Sequence, residues 1–170
     1  MKRPASESAM AMGVAPGLQF GALPWRRGKG LEVLLVTSRE SRRWVIPKGW
    51  PIKGRKPHTW AAREALEEAG VTGRIGKKAL GSYGYVKRLK NGAPLECRVQ
   101  VFPLRVERQR KRWPEQRERA FRWFAASEAA TAVAEPELRR LIEDFAGSPS
   151  ASARKESAPS RIEPDPAVSN

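Results

Sequence analysis

The run from Arg63 to Val71, R-E-A-L-E-E-A-G-V, limits the folds open to this chain more than any other feature. At about 100° per residue, Glu64, Glu67 and Glu68 share one arc of a helix, while Ala62, Ala65, Leu66 and Ala69 lie on the other side. The small apolar side is expected to pack closely on a sheet and leave the three carboxylates facing outward together. Like charges three and four residues apart oppose helix formation, and these lie near the helix end that disfavours anions. Such a helix either meets a cation that offsets both penalties or sits in solvent, where Arg63 can pair with Glu67 as ordinary surface support. Oxygen-only donors of this kind suit Mg²⁺ or Mn²⁺ rather than zinc.

The surroundings place this helix in an α/β domain. Pro47, Gly49, Pro51, Gly54 and Pro57 punctuate the loop before it, so the helix is expected from Pro57 to Ala69, with Gly70 closing it. Strands are expected at Leu18–Pro24, Leu31–Thr37, Trp44–Ile46, Gly81–Lys90, Glu96–Val106 and Phe121–Phe124. Helical pieces follow at Ser127–Val133 and Pro136–Ala146, where Leu138, Leu141, Ile142 and Phe145 repeat at helical spacing. Strands and helices mixed in this way suggest a sandwich around a mixed sheet. The domain is expected over residues 13–146, between a flexible N-terminus (1–12) and a Ser-, Ala- and Pro-rich disordered tail (147–170).

Charge and rare residues narrow the function. Lys and Arg number 33 against 18 Asp and Glu, a formal charge of +15 that draws anions: nucleic acid, an anionic membrane surface or a polyphosphorylated small molecule. One cysteine, Cys97, excludes an internal disulfide framework, and one histidine, His58, excludes a multi-histidine metal site. No stretch reaches the roughly 18 apolar residues of a membrane span. Pro16, Gly17 and Gln19 interrupt the apolar run from Ala9 to Trp25, which reads against a signal peptide. The expectation is a soluble protein of a reducing cytoplasm.

The segment Gly49–Val71, G-W-P-I-K-G-R-K-P-H-T-W-A-A-R-E-A-L-E-E-A-G-V, resembles the Nudix box: Gly, five residues, Glu, seven residues, then R-E-U-x-E-E-x-G-U, with U a bulky aliphatic. Gly49, Arg63, Glu64, Glu67, Glu68, Gly70 and Val71 match at the right spacing. Arg55 stands where the family has its first Glu, and Ala65 replaces the first aliphatic. That Glu usually braces the box arginine, so Arg63 needs another partner, and Glu67 is within reach. The flanks W-V-I-P-K-G and Trp113–Ala129 resemble the diphosphoinositol polyphosphate phosphohydrolase branch, and the likeness runs from about Leu18 to Phe145.

The resemblance implies a Nudix-type α/β/α sandwich and hydrolysis of a diphosphate linked to another group. Divalent ions bridging carboxylates and phosphate oxygens neutralise the repulsion that protects a phosphoanhydride. Glu64 and Glu68 are the first choice of metal ligands, and Glu67 either completes the site or takes the proton. A carbonyl of the Lys48–Gly49 loop adds a ligand by resemblance, and Arg63 joins Glu64 and Glu67 as catalytic residues. Family members often bring one more acid from a distant loop; Glu115 is preferred here over Glu118. Basic residues fall in three blocks, around Arg39 to Lys56, at Lys87 to Lys90 and at Arg105 to Arg122. Arg39, Arg43, Lys48, Arg55 and Arg112 are the residues expected on substrate phosphates.

Other signals are weaker. Trp44, Trp50 and Trp60 suit packing better than base stacking, His58 reads as exposed and without function, and Cys97 reads as core. The leading expectation is therefore a Mg²⁺- or Mn²⁺-dependent hydrolase of polyphosphorylated small molecules of the diphosphoinositol polyphosphate or diadenosine polyphosphate type. The alternatives are a pyrophosphohydrolase of RNA 5′ ends and a Nudix-like fold retired from catalysis that binds RNA or nucleotide.

Overall fold

In the computed structural model, residues 17–149 and 151 are described. The expected flexible N-terminus and most of the expected disordered tail lie outside them. Eight strands form one mixed sheet: β1 (Leu18–Arg27), β2 (Leu31–Thr37), β3 (Trp44–Val45), β4 (Lys48–Gly49), β5 (Val71–Ile75), β6 (Gly81–Arg88), β7 (Pro94–Gln109) and β8 (Phe121–Ala125). Among the described residues, three helices accompany them: α1 (Pro57–Ala69), α2 (Ala126–Ala132) and α3 (Pro136–Ala146).

The sheet runs β3-β2-β1-β7-β5, with β4 on β1, β6 on β7 and β8 on β2. Among the described residues only the central β1–β7 pairing is parallel, from Leu18 opposite Arg98 to Trp25 opposite Arg105. Burial on both sides explains why β1 and β2 read as near-continuous apolar runs. One face carries Phe20, Ala22, Leu34, Val36, Phe102 and Leu104 against α1. The other carries Leu23, Val33, Leu35, Val99 and Val101 against Ala129, Leu138, Ile142 and Phe145 of α2 and α3. The result is an α/β/α sandwich.

Helix α1 starts and stops where its sequence dictates. Pro57 supplies a preset φ in the first turn, and Gly70 takes the left-handed conformation at φ 70° that ends the helix. Side-chain room also matters at Gly70: a Cβ there would sit 2.3 Å from the Trp113 ring.

The face that α1 turns inward differs from the expected one. Trp60, Ala61, Glu64, Ala65, Glu68 and Ala69 are buried, whereas Ala62 and Leu66 are only half-buried. The buried arc is thus rotated by about a quarter turn, and two of the three carboxylates point into the protein. Ala61, Ala65 and Ala69 bring the helix close to the sheet, while Trp60 fills the space at its start. Strand pairing also extends further than the pattern shows. β5 follows Gly70 immediately and was not anticipated, because Gly73 and Arg74 interrupt its alternation.

Candidate active site

Helix α1, the two-residue strand β4 and the segment between β7 and β8 bring the acidic residues together. Glu64 lies directly against β4, where Gly49 leaves the space it occupies: a Cβ on Gly49 would come within 2.3 Å of the Glu64 carboxyl carbon. One turn on, Glu68 accepts a hydrogen bond from the Lys48 backbone N–H at 3.0 Å. Both carboxylates are therefore fixed on the strand that carries the expected backbone ligand, Gly49.

A buried carboxylate needs a counterion. Arg119 supplies it, at 3.0 Å from Glu68 and 3.2 Å from Glu115, and donates to the Thr37 carbonyl at 3.1 Å. This one guanidinium, itself only 10% exposed, joins Glu68 to Glu115. Burial pushes the Glu68 carboxyl up to about 7, with Glu115 adding to the rise and Arg119 and Lys48 opposing it. Burial also lowers the Lys48 ammonium, against the pull of Glu68 and Glu135, and the ammonium sits 5.0 Å from the Tyr85 ring centre.

Glu67 behaves differently. Its carboxylate is partly exposed and accepts a hydrogen bond from Arg63 at 3.0 Å. Arg63 has taken the partner left to it by the substitution at position 55, and its guanidinium stands over the Trp60 ring at 5.5 Å. Arg55 itself is exposed on the loop before α1.

The segment bearing Glu115 hangs on the end of α1. The carbonyls of Glu67, Ala69 and Gly70 accept hydrogen bonds from Glu115 N–H, the Gln109 amide and Arg110 N–H at 3.0, 3.4 and 2.8 Å. These bonds satisfy carbonyls that a helix end leaves unpaired. Glu115 is the more buried of the two acids weighed for the distant position; Glu118 is exposed. Arg39 lies 3.7 Å from Glu115 and 3.5 Å from Glu118, at the rim of the site. Arg43 and Arg112 are exposed further out, so the structure gathers Arg39 and Lys48 at the carboxylates and leaves Arg43, Arg55 and Arg112 on the surrounding surface.

Two polar residues of this region were not singled out from sequence. The signal for Arg119 was its i,i+4 spacing to Glu115. Glu135, preceding α3, has a buried Oε2 without a hydrogen-bond partner among the described residues, and its charge is felt at Lys48 and Tyr83; no local sequence signal marks it. Trp44 packs edge-on against Phe124 at 5.1 Å and Trp60 is buried, as packing predicts. His58 is half-buried, 6.4 Å from the Phe102 ring, rather than exposed.

The donor set suits a hard divalent ion. Among the described residues no three His, Cys, Asp or Glu side chains gather closely enough to enclose a metal. Mg²⁺ does not ask for that: it commonly takes one or two carboxylates and completes its shell with water and substrate phosphate oxygens. Glu64 and Glu68, one turn apart beside Gly49, fit that demand, with Glu115 linked to Glu68 through Arg119.

Known proteins resemble this chain in sequence and in fold. A family model for the NUDIX domain matches residues 16–145. "Nudix hydrolase 12, mitochondrial" from Arabidopsis thaliana is 32% identical over 120 residues, which are 68% of this chain and 58% of that protein. The chain thus spans little more than half the length of that relative. "Diphosphoinositol polyphosphate phosphohydrolase 3-alpha" from Mus musculus is 47% identical over 47 residues, 27% of this chain and 29% of that one. Among solved structures, a C. elegans Ap4A hydrolase in a binary complex superposes with a TM-score of 0.57 at 22% identity, covering 81% of this chain and 98% of its own.

Proposed function

Because the chain belongs to the NUDIX domain family, we propose that it is a Mg²⁺- or Mn²⁺-dependent hydrolase of phosphoanhydride bonds in polyphosphorylated small molecules. The observation that carries this reading is the placing of Glu64 and Glu68 one turn apart in the protein, Glu64 in the space left by Gly49 and Glu68 on the Lys48 N–H. Two carboxylates placed one helical turn apart in the interior suit a hard divalent cation, and their setting among arginines and lysines suits a substrate with many phosphates.

The ion, when bound by Glu64 and Glu68 with a Gly49 carbonyl, supplies charge neutralisation of the phosphates and a more acidic water. Every other part belongs to the chain. Lys48 N–H fixes the Glu68 carboxylate. Glu67, the carboxylate nearest solvent, is positioned by Arg63 to accept a proton at its free oxygen. Arg39 and Lys48 hold phosphates close to the carboxylates, with Arg43, Arg55 and Arg112 receiving a long or branched polyphosphate further out. Diphosphoinositol polyphosphates and diadenosine polyphosphates both have this form, and relatives named for each lie among the similar proteins.

The test is Glu64→Gln and Glu68→Gln assayed with Mg²⁺ on a panel of both substrate types, with the products identified. Loss of at least 100-fold in kcat is expected from either variant. Full activity in both would remove the pair from the reaction.

A further inference from the structure

The segment that caps α1 carries a surface of which the proposed reaction uses Arg112 alone. Arg108, Gln109, Arg110, Lys111 and Arg112 line an open cleft of about 730 Å³. Arg112 also borders a second cleft of about 510 Å³, shared with Trp113, Pro114, Gln116, Arg117 and Glu118. Arg108, Arg110, Lys111, Arg112 and Arg117 are all exposed. None of the five forms an ion pair among the described residues. The one acid lining the clefts, Glu118, is engaged by Arg39.

This backbone is anchored. Arg110 N–H and Glu115 N–H are bonded to the helix end, and the Gln116 amide donates to the Lys111 carbonyl at 2.9 Å, fastening one cleft to the next. Five unpaired cations held this closely repel one another and favour a polyanion. A helix C-terminus welcomes about one or two positive charges, which leaves most of them unexplained.

Aromatic rings border the same cations. Trp113 lies edge-on to Phe121 at 5.6 Å, and Phe121 is 41% exposed. Trp123 donates through its indole N–H to Gln109, a residue of the first cleft, at 3.4 Å, and Arg26 covers the Trp123 ring at 3.9 Å. Trp113 lies against Gly70 and Trp123 beneath Arg26, so Phe121 is the ring left open for a base. Unpaired cations along a groove with that ring at its edge match a strand whose phosphates and bases are both accessible. Inorganic polyphosphate would use the charges and leave the ring idle, and a duplex would hide its base faces.

We propose that the exposed cations of residues 108–117, together with Phe121, form a docking surface for single-stranded RNA beside the Glu64–Glu68 site. The second cleft adjoins Glu115 and Arg39, so a strand bound there runs from the rim of the carboxylate site outward along the arginines.

The experiment measures binding of the full chain to a labelled 12-nucleotide single-stranded RNA with a 5′-hydroxyl, in EDTA, by fluorescence anisotropy at several salt concentrations. Arg110→Ala with Lys111→Ala should weaken binding about tenfold or more and flatten the log–log salt slope by about 1.4, at roughly 0.7 per phosphate contact. Phe121→Ala should weaken RNA binding about fivefold or more and leave inorganic polyphosphate binding unchanged. Turnover of small polyphosphates by the Arg110→Ala, Lys111→Ala protein should match the parent, which also shows that the variant folds. Parental RNA affinity in the double variant overturns the proposal. So does an unchanged RNA affinity in Phe121→Ala, or equal competition by polyphosphate of matched charge, either of which reduces the surface to a general polyanion patch. RNA binding without small-molecule turnover in the parent leaves this inference standing and removes the proposed hydrolysis instead.

Discussion

The Arg119 guanidinium meets the Glu68 carboxylate at 3.0 Å with both side chains largely withdrawn from water. Removing one member of such a pair strands the other charge, at a cost of about 3–5 kcal/mol. Arg119→Ala should therefore lose about that much stability at pH 8, read by urea denaturation. The loss should shrink below pH 6, where Glu68 takes up a proton and no longer needs a partner.

A second expectation concerns pH in the parent protein. Burial raises the Glu68 carboxyl from an ordinary 4.5 to about 7. Between those values the folded chain keeps a proton that the unfolded chain has lost. The stability contributed by this group is complete below about pH 4.5, falls as pH rises towards 7, and is level above that. The span is on the order of 3 kcal/mol. Denaturation in EDTA across pH 4.5–8 should show this decline in the parent and a flatter profile in Glu68→Gln. Identical profiles in the two proteins would place the titration elsewhere.

Gly49→Ala tests the space beside Glu64. The added methyl would lie 2.4 and 2.7 Å from the two carboxylate oxygens. The carboxylate is the flexible partner, so it should swing away while the strand holds its place. Stability should change by only about 1 kcal/mol, but a displacement of this size should lower kcat roughly 100-fold. Steady-state kinetics and thermal denaturation of the same preparation separate the two effects.

Arg63 and Glu67 form an exposed i,i+4 pair, and solvent leaves little energy in it. A double-mutant cycle with Arg63→Ala and Glu67→Ala should give a coupling of about 0.5 kcal/mol or less in stability. The kinetic coupling should be larger if Arg63 positions the Glu67 carboxylate for proton transfer. Equal additivity in kcat and in stability would make the pair ornamental to turnover.

Local sequence rules located α1 well and misjudged its orientation. Pro57 and Gly70 set both ends through backbone constraints that need no tertiary information. Which arc is buried depends instead on partners elsewhere in the chain. A carboxylate ordinarily goes to solvent, and Arg119 and the Lys48 N–H for Glu68, with the bare Gly49 backbone beside Glu64, help make the interior acceptable to the pair. The strand Leu31–Thr37 was legible because its apolar run is continuous. Strand β5 was not, since its pairing with the long β7 outweighs its weak local pattern. The box spacing indicated the carboxylates themselves, and the pairing of Arg63 with Glu67 followed from the absent brace at Arg55. The contribution of Glu135 had no local sign at all.

The segment bearing Glu115 is suspended from the last carbonyls of α1, which gives the fold an uneven tolerance for motion. Fraying of even half a turn there would release Glu115, slacken its hold on Arg119 and loosen the grip on Glu68, at the expense of little more of the apolar layers than Ala69. Warming should thus silence the protein before it melts it, with the helix tail acting as the fuse.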